Sequence, residues 1–179
     1  MTTMVSPAEF VAHFHAIVRA EEKQLDDLWW TSNPGYTEKF LAPPAGIFPQ
    51  IANGLGFEYR REKARMDAML YEPINGVRRI SVAVEHEHDA DKTDHNELWR
   101  LSLLNVPLKV LVTYPNYGEQ ALLLSRYANV IQAADLFQDF DRLRRQLVVF
   151  GFSDEPGAPI DWRYYSYSKT GFVPMEVKG

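Results

Sequence analysis

Apolar residues in the first part of the chain recur at helical spacing. After residue 9 they stand three or four positions apart, at Phe10, Val11, Phe14, Ile17 and Val18. This period predicts an amphipathic helix, and Ser6 with Glu9 three residues later forms a capping box at its start. Residues 29–35 break the pattern, and further helical segments are predicted at 36–41 and 47–53.

From Phe57 onward the pattern changes to the alternation typical of strands. Segments 57–63, 64–72 and 77–87 predict three successive strands. Asn75-Gly76 lies between the second and third segments and is a strong hairpin signal, because both residue types tolerate a positive φ. Connections this short predict an antiparallel meander.

Helical and strand patterns alternate in the second half of the chain. A short helix is predicted at 89–105, a fully buried strand at 107–115 and a long helix at 118–146. Two further strands are predicted at 145–154 and 161–176. Because a strand, a crossover helix and a second strand usually form a parallel unit, we expect an α/β fold. Its mixed central sheet joins the antiparallel meander to a parallel crossover strand and is flanked by helices.

Composition narrows the class of protein. A chain of 179 residues with 46% hydrophobic and 24% charged residues is expected to form a single globular domain over residues 1–179. The net charge of −5 argues against a protein that coats nucleic acid nonspecifically. The absence of cysteine excludes disulfides, thiolate metal sites and cysteine nucleophiles. With no export signal and no apolar run of about 18 residues, we expect a cytoplasmic protein without a membrane partner.

Alternation along the third predicted strand separates its side chains into two sets. One face carries apolar residues that lead into two histidines, in the order Ile80, Val82, Val84, His86 and His88. The other face carries Arg79, Ser81, Ala83, Glu85 and Glu87. The two glutamates are therefore predicted to project from the same side of the sheet.

The hairpin brings a third acid close to these glutamates. A strict two-residue turn places Asp67 opposite Val84, whereas a three-residue turn or a bulge places it opposite Glu85. In either register Asp67, Glu85 and Glu87 lie near one another at the end of the strand. Carboxylate oxygens grouped in this way are ligands suited to Mg²⁺ or Mn²⁺, which activate water and stabilise charge on phosphate.

The order of elements around Met66-Asp67-Ala68 and Val84-Glu85-His86-Glu87 resembles the PD-(D/E)xK nuclease superfamily, whose fold is restriction-endonuclease-like. The resemblance covers residues 57–115. It implies metal-dependent hydrolysis of phosphodiester bonds in DNA or RNA, with Asp67 and Glu85 as the metal ligands. Two residues depart from the family pattern. Glu87 stands where most members have lysine, although some restriction enzymes have glutamate there, and Met66 replaces the proline of the family name.

Several other side chains are candidates for an accessory role. Lys92 and Arg100 are candidates for a displaced cation, whereas Lys109 begins its strand and is not expected to reach acids that end theirs. An additional acid from the first helical region, Glu21 or Glu22, is a candidate for the site.

The two histidines allow a different interpretation. His86 and His88 share a face, and with Asp89 or His95 they would form a Zn²⁺ site. A role in proton transfer near neutral pH is a second possibility. The less specific interpretation is that both histidines are incidental and that residues 85–94 form a solvated loop with surplus acids.

Two alternatives remain open on function. Basic residues on the strands flanking the acids either contact phosphates or pair with nearby carboxylates, namely Arg60, Arg61, Lys63, Arg65, Arg78 and Arg79. The missing lysine and the net acidity favour a catalytically degenerate relative that acts as a binding or assembly module.

Aromatic strand residues near the C-terminus are consistent with a homodimer.

Overall fold

The computed structural model describes residues 4–63, 65–134 and 145–177, and for residues 94 and 95 it describes the backbone only. The helices in these ranges are α1 Pro7–Ala20, α2 Glu22–Thr31, α3 Asn33–Leu41, α4 Ile47–Gly54, α5 Trp99–Leu103 and α6 Gln120–Ala134. A single π-helical turn, Asp94–Leu98, leads directly into α5. The strands are β1 Glu58–Lys63, β2 Met66–Ile74, β3 Val77–Glu87, β4 Leu108–Thr113, β5 Gln146–Phe152, β6 Asp161–Ser168 and β7 Gly171–Met175.

All seven described strands form one mixed sheet in sequential order. The first three strands pair antiparallel, β3 to β5 pair parallel, and β5 to β7 pair antiparallel again. The predicted meander followed by a parallel crossover strand is therefore confirmed, as is the α/β class with helices flanking the sheet.

Serine side chains cap the start of two helices, α1 and α3. The Ser6 side chain accepts a hydrogen bond from the backbone N–H of Glu9 at 3.1 Å, so the predicted cap of α1 is confirmed. The predicted break at 29–35 is confirmed only at Ser32, because helix continues to Thr31 and resumes at Asn33. Ser32 is the single interruption: its extended backbone ends α2, and its hydroxyl accepts from the N–H of Gly35 to cap α3.

The final predicted strand, 161–176, is in fact a hairpin. Ser168 pairs with Gly171, which leaves Lys169-Thr170 as a two-residue turn between β6 and β7. Gly171 has a φ of 110°, a conformation that residues with a Cβ rarely adopt. The predicted helix 118–146 is observed up to Ala134, and residues 135–144 lie outside the described part of the chain.

Two apolar layers cover the two faces of the sheet. On one face the first four helices pack through residues such as Phe14, Phe40 and Ile51. On the other face α5 and α6 pack through residues such as Leu101 and Leu123. Both layers meet the central strands, which are buried on both sides. Among the described helices, none has the length and apolar character needed to cross a membrane.

The central position of β4 yields a stability prediction. Leu111 on β4 is fully buried, so Leu111→Ala is expected to lower the free energy of unfolding by about 2–5 kcal/mol. Leu122 on α6 is 63% exposed, so Leu122→Ala should change it by less than about 0.5 kcal/mol. Urea denaturation measures both, and equal losses would contradict the central placement of β4.

Candidate active site

The hairpin between β2 and β3 carries one extra residue. Asn75 and Gly76 both have positive φ, 48° and 78°, and form the predicted two-residue turn. Beyond the turn the register shifts between Leu70 and Tyr71, whose partners are Val82 and Ile80. Ser81 is thus unmatched and forms a β-bulge in β3.

The bulge decides which residue faces Asp67. Ala68 pairs with Val84, and the same register continued by one residue sets Asp67 opposite Glu85. The backbone N–H of His86 donates to Oδ2 of Asp67 at 2.8 Å and fixes this arrangement. The bulge alternative is therefore confirmed, and the strict two-residue register with Asp67 opposite Val84 is wrong.

The bulge also alters the predicted faces of β3. Val82 and Val84 share one face, as predicted, and pack under the first four helices. Ile80 instead packs with the layer formed by α5 and α6, on the side of Ala83. Strict alternation along the whole strand is therefore wrong, because the extra residue Ser81 interrupts the period of two.

Asp67 and Glu85 lie opposite each other and form a carboxyl pair whose charges interact. Glu85 is only 2% exposed. Burial, followed by the neighbouring charge of Asp67, raises the pKa of Glu85 to about 8. Burial also raises the pKa of Asp67, against the opposing effect of the His86 N–H hydrogen bond. At neutral pH the pair therefore retains one proton, held mainly by Glu85.

Arg100 provides the positive charge beside this pair. Its Nη2 lies 3.3 Å from Oε1 of Glu85 and 3.4 Å from Oε1 of Glu97. The residue follows the π-helical turn, in which the N–H of Leu98 donates to the carbonyl of Thr93 at 3.0 Å. Single π-helical turns are frequent at functional sites. Of the two predicted cations, Arg100 is therefore the one that reaches the acids.

Glu87 lies close to the pair but is held by the following loop. Its Oε1 accepts a hydrogen bond from the backbone N–H of Asp89 at 3.1 Å. Its charge contributes to the raised pKa of Asp67. Across the described side chains, no group of three or more His, Asp or Glu residues is arranged to hold a metal ion. The arrangement is therefore two carboxyl groups side by side and a third nearby.

The remaining accessory candidates do not contact the pair. The Lys92 side chain is 83% exposed and its Nζ lies 2.5 Å from Oδ2 of Asp89. Glu22 lies on α2 and pairs with Arg19 at 2.5 Å, and Glu21 pairs with Lys39 at 3.0 Å. Both acids belong to the helical layer on the opposite face of the sheet, so their predicted contribution to the site is not supported.

Lys109 is buried at the start of β4, as the sequence predicted. It pairs with Ala83, two residues before Glu85, and its Nζ donates to the carbonyl of Ser102 at 3.2 Å. This interaction directs the amine toward α5.

His86 and His88 project from the face opposite the carboxyl pair. Nε2 of His86 lies 2.6 Å from the hydroxyl of Tyr114, and Nε2 of His88 lies 2.9 Å from the hydroxyl of Thr37. Burial lowers the pKa of both histidines, so both are neutral near pH 7. Each Nε2 already contacts a hydroxyl and Asp89 pairs with Lys92, so the geometry of these three residues does not support the predicted Zn²⁺ site. The side chain of His95, the other predicted ligand, lies outside the described part of the structure.

Tyr114 was not among the functional candidates predicted from the sequence. Tyr114 directly follows β4, and His88 directly follows β3. These strands are parallel neighbours, so residues just beyond them meet at the same edge of the sheet. That rule, applied to the predicted crossover strand, would have placed Tyr114 beside His88, and the two rings do stack at a centroid distance of 5.4 Å.

The basic residues of the meander are mostly paired with acids. Arg61 donates to both carboxylate oxygens of Glu38, at 2.8 and 2.6 Å. Arg78 lies 2.8 Å from Glu58, and Arg79 pairs with Glu72. These pairs favour the interpretation of the basic residues as charge partners. A cavity of about 490 Å³ remains at this edge, lined by Arg60, Arg61, Lys63, Tyr71 and Arg78.

Comparison with known proteins adds little to this geometry. No family model matches the chain, and no curated protein matches it. Among solved structures, the central domain of yeast acetyl-CoA carboxylase is similar over 93% of this chain, with 8% sequence identity and a TM-score of 0.44. The chain spans 34% of the length of that structure. A similarity of this degree carries no argument about function.

The raised pKa of Glu85 yields a prediction about stability and pH. A carboxyl whose pKa rises from 4.5 to about 8 on folding stabilises the protein at low pH, and that stabilisation is lost as pH rises toward 8. Relative to Glu85→Gln, the wild-type free energy of unfolding should fall between pH 5 and 8 by up to about 1.4 kcal/mol per pH unit. Urea denaturation across this range measures the difference.

The control for this experiment is Glu155→Gln, which alters an exposed carboxylate in the loop between β5 and β6. Its unfolding free energy should follow that of wild type at every pH. If the free energies of unfolding of wild type and Glu85→Gln changed with pH in parallel, Glu85 would have an ordinary pKa.

Proposed function

We propose that the chain is a divalent-metal-dependent nuclease with a restriction-endonuclease-like fold, hydrolysing phosphodiester bonds in DNA or RNA. The observation that carries the proposal is the placement of Asp67 opposite Glu85 at the end of β3, where Asp67 accepts a hydrogen bond from the N–H of His86. The topology supports it as well, since a meander followed by a parallel crossover strand is the arrangement that the sequence resemblance implies.

The donor set fits Mg²⁺ or Mn²⁺. Both ions prefer oxygen ligands, and Mg²⁺ commonly uses one or two carboxylates with water completing its shell. Two carboxyls that share a proton because their charges repel are stabilised when a cation replaces that proton. Asp67 and Glu85 would hold the ion, and binding would strengthen as pH rises toward 8. The bound ion supplies polarisation of a phosphate oxygen and a lowered pKa for water.

The other residues of the site have complementary roles. Glu87, on the same face as Glu85, accepts the proton of the attacking water in place of the family lysine. Arg100, already beside Glu85, donates to a non-bridging phosphate oxygen of the substrate. Neither role requires a group from the opposite face of the sheet.

Asp67→Asn tests the proposal with little change in shape. It removes one charge from the pair, so Mn²⁺ affinity is expected to fall about 100-fold, since loss of even a partner of a ligand typically costs about 10–100-fold. Calorimetric titration with Mn²⁺ measures affinity, and cleavage of a labelled oligonucleotide measures activity. Activity should be lost together with binding.

Glu62→Gln is the matched control, because Glu62 is an exposed carboxylate on the adjacent strand. It should bind Mn²⁺ and cleave like wild type. Absence of Mn²⁺ binding by folded wild-type protein at millimolar metal would contradict the proposal.

A second candidate function is a non-catalytic binding or assembly module with the same fold. The observation that favours it is the ion pair between Arg100 and Glu85, which supplies by itself some of the positive charge that a metal would bring. In this case Arg100→Gln destabilises the folded protein, and no divalent ion binds wild type. If the protein is a metal enzyme, added Mn²⁺ stabilises wild type and raises its melting temperature.

A further inference from the structure

Three aromatic rings form an open box on the face opposite the carboxyl pair. Trp29 meets Tyr36 and Tyr114 edge to face, at centroid distances of 5.5 and 5.0 Å and interplanar angles of 89° and 88°. Tyr36 and Tyr114 meet at 5.5 Å and 77°. With Asn33 and His88 the three rings line a cavity of about 210 Å³.

The titratable groups lining this cavity are uncharged near pH 7. Burial raises the pKa of both tyrosine hydroxyls above its ordinary value and lowers the pKa of His88. His86, below the box, is also neutral, and its Nδ1 is buried without a hydrogen-bond partner among the described residues. The cavity therefore presents π-systems and neutral polar atoms, and its described lining contains no positive group to attract an anion.

The mouth of the box adjoins a negatively charged surface. A neighbouring cavity of about 340 Å³ shares His88 and Tyr114 with the box and is also lined by Asp89, Asp91 and Glu119. Asp89 and Asp91 each form an ion pair with a cationic side chain. Glu119 accepts a hydrogen bond from the side-chain amide of Asn116, a neutral donor.

Among the described residues at the mouth of the box, lysine and arginine side chains form ion pairs with only some of the acids. Lys92 pairs with Asp89, and Arg126 pairs with Asp91 at 3.0 Å. In the part of the chain that the structure describes, Glu119 has no ion pair with a lysine or an arginine. The local field therefore favours a cation at the mouth.

We propose that the aromatic box binds the headgroup of a small organic cation, an alkylated ammonium, against the faces of Trp29, Tyr36 and Tyr114. Aromatic faces attract such cations, and binding strengthens when the site is desolvated. The cavity is smaller than the roughly 300–1,000 Å³ of sites for drug-sized ligands. It therefore fits a headgroup better than an entire large ligand. The sheet separates this site from Asp67 and Glu85, so the inference does not rest on the proposed nuclease function.

A comparison of charged and neutral ligands tests the proposal. Choline and its uncharged carbon analogue 3,3-dimethylbutan-1-ol have nearly the same shape, so their difference in affinity reports the charge. Choline is expected to bind about tenfold more tightly, as measured by NMR titration of the wild-type protein. A peptide carrying trimethyllysine is titrated in parallel. Tighter binding of the peptide would identify a modified side chain as the source of the headgroup, and tighter binding of choline would identify a free amine.

Adjacent tryptophans provide matched variants. Trp29→Leu removes one wall of the box and should reduce affinity for the cation about tenfold, while Trp29→Phe should retain part of it. Trp30→Leu alters the next residue, which is exposed and does not line the cavity, and should bind like wild type.

The fold of each variant is checked by circular dichroism. The proposal is overturned if wild type binds the charged and neutral ligands equally, or binds neither choline nor the peptide at tens of millimolar. It is also overturned if folded Trp29→Phe and Trp30→Leu lose equal affinity.

Discussion

The one-residue bulge at Ser81 is the constraint on which the carboxyl pair depends. Side chains alternate between the faces of a strand, so a shift of one residue decides whether Asp67 faces Glu85 or Val84. With the bulge present, Asp67 and Glu85 are buried together. Ionisation of one carboxyl therefore raises the free-energy cost of ionising the other. Arg100 offsets part of that cost, and the proton retained by Glu85 offsets more.

The sheet divides the chemistry of the molecule into two separate regions. One face carries the acids, beside α5 and the π-helical turn. The other carries neutral histidines among aromatic rings, where His86 stacks on Phe40 at 4.3 Å. Because β3 contributes to both faces in consecutive residues, His86 holds Asp67 through its backbone while its side chain lies in the aromatic layer. A change in β3 should therefore affect both regions, whereas changes in the helices should affect one.

Periodicity was sufficient to predict the strands of the meander, the crossover strand and the cap at Ser6, because these features depend on local spacing. Periodicity did not decide whether Asp67 faces Val84 or Glu85. That choice depends on how β3 packs on both faces of the sheet. The contact of Arg100 with Glu85 depends on a π-helical turn that has no clear sequence signal. The hairpin within 161–176 was missed because Lys169-Thr170 is not a typical turn pair.

The carboxyl pair can be observed directly by ¹³C NMR of protein labelled at the side-chain carboxyl carbons of Asp and Glu. Asp67→Asn and Glu85→Gln assign the two resonances. We expect the Glu85 carbon to titrate with a midpoint of about 8, and we expect that midpoint to fall when Asp67 is replaced. Two independent titrations at about pH 4, the ordinary behaviour of carboxyl groups, would contradict it.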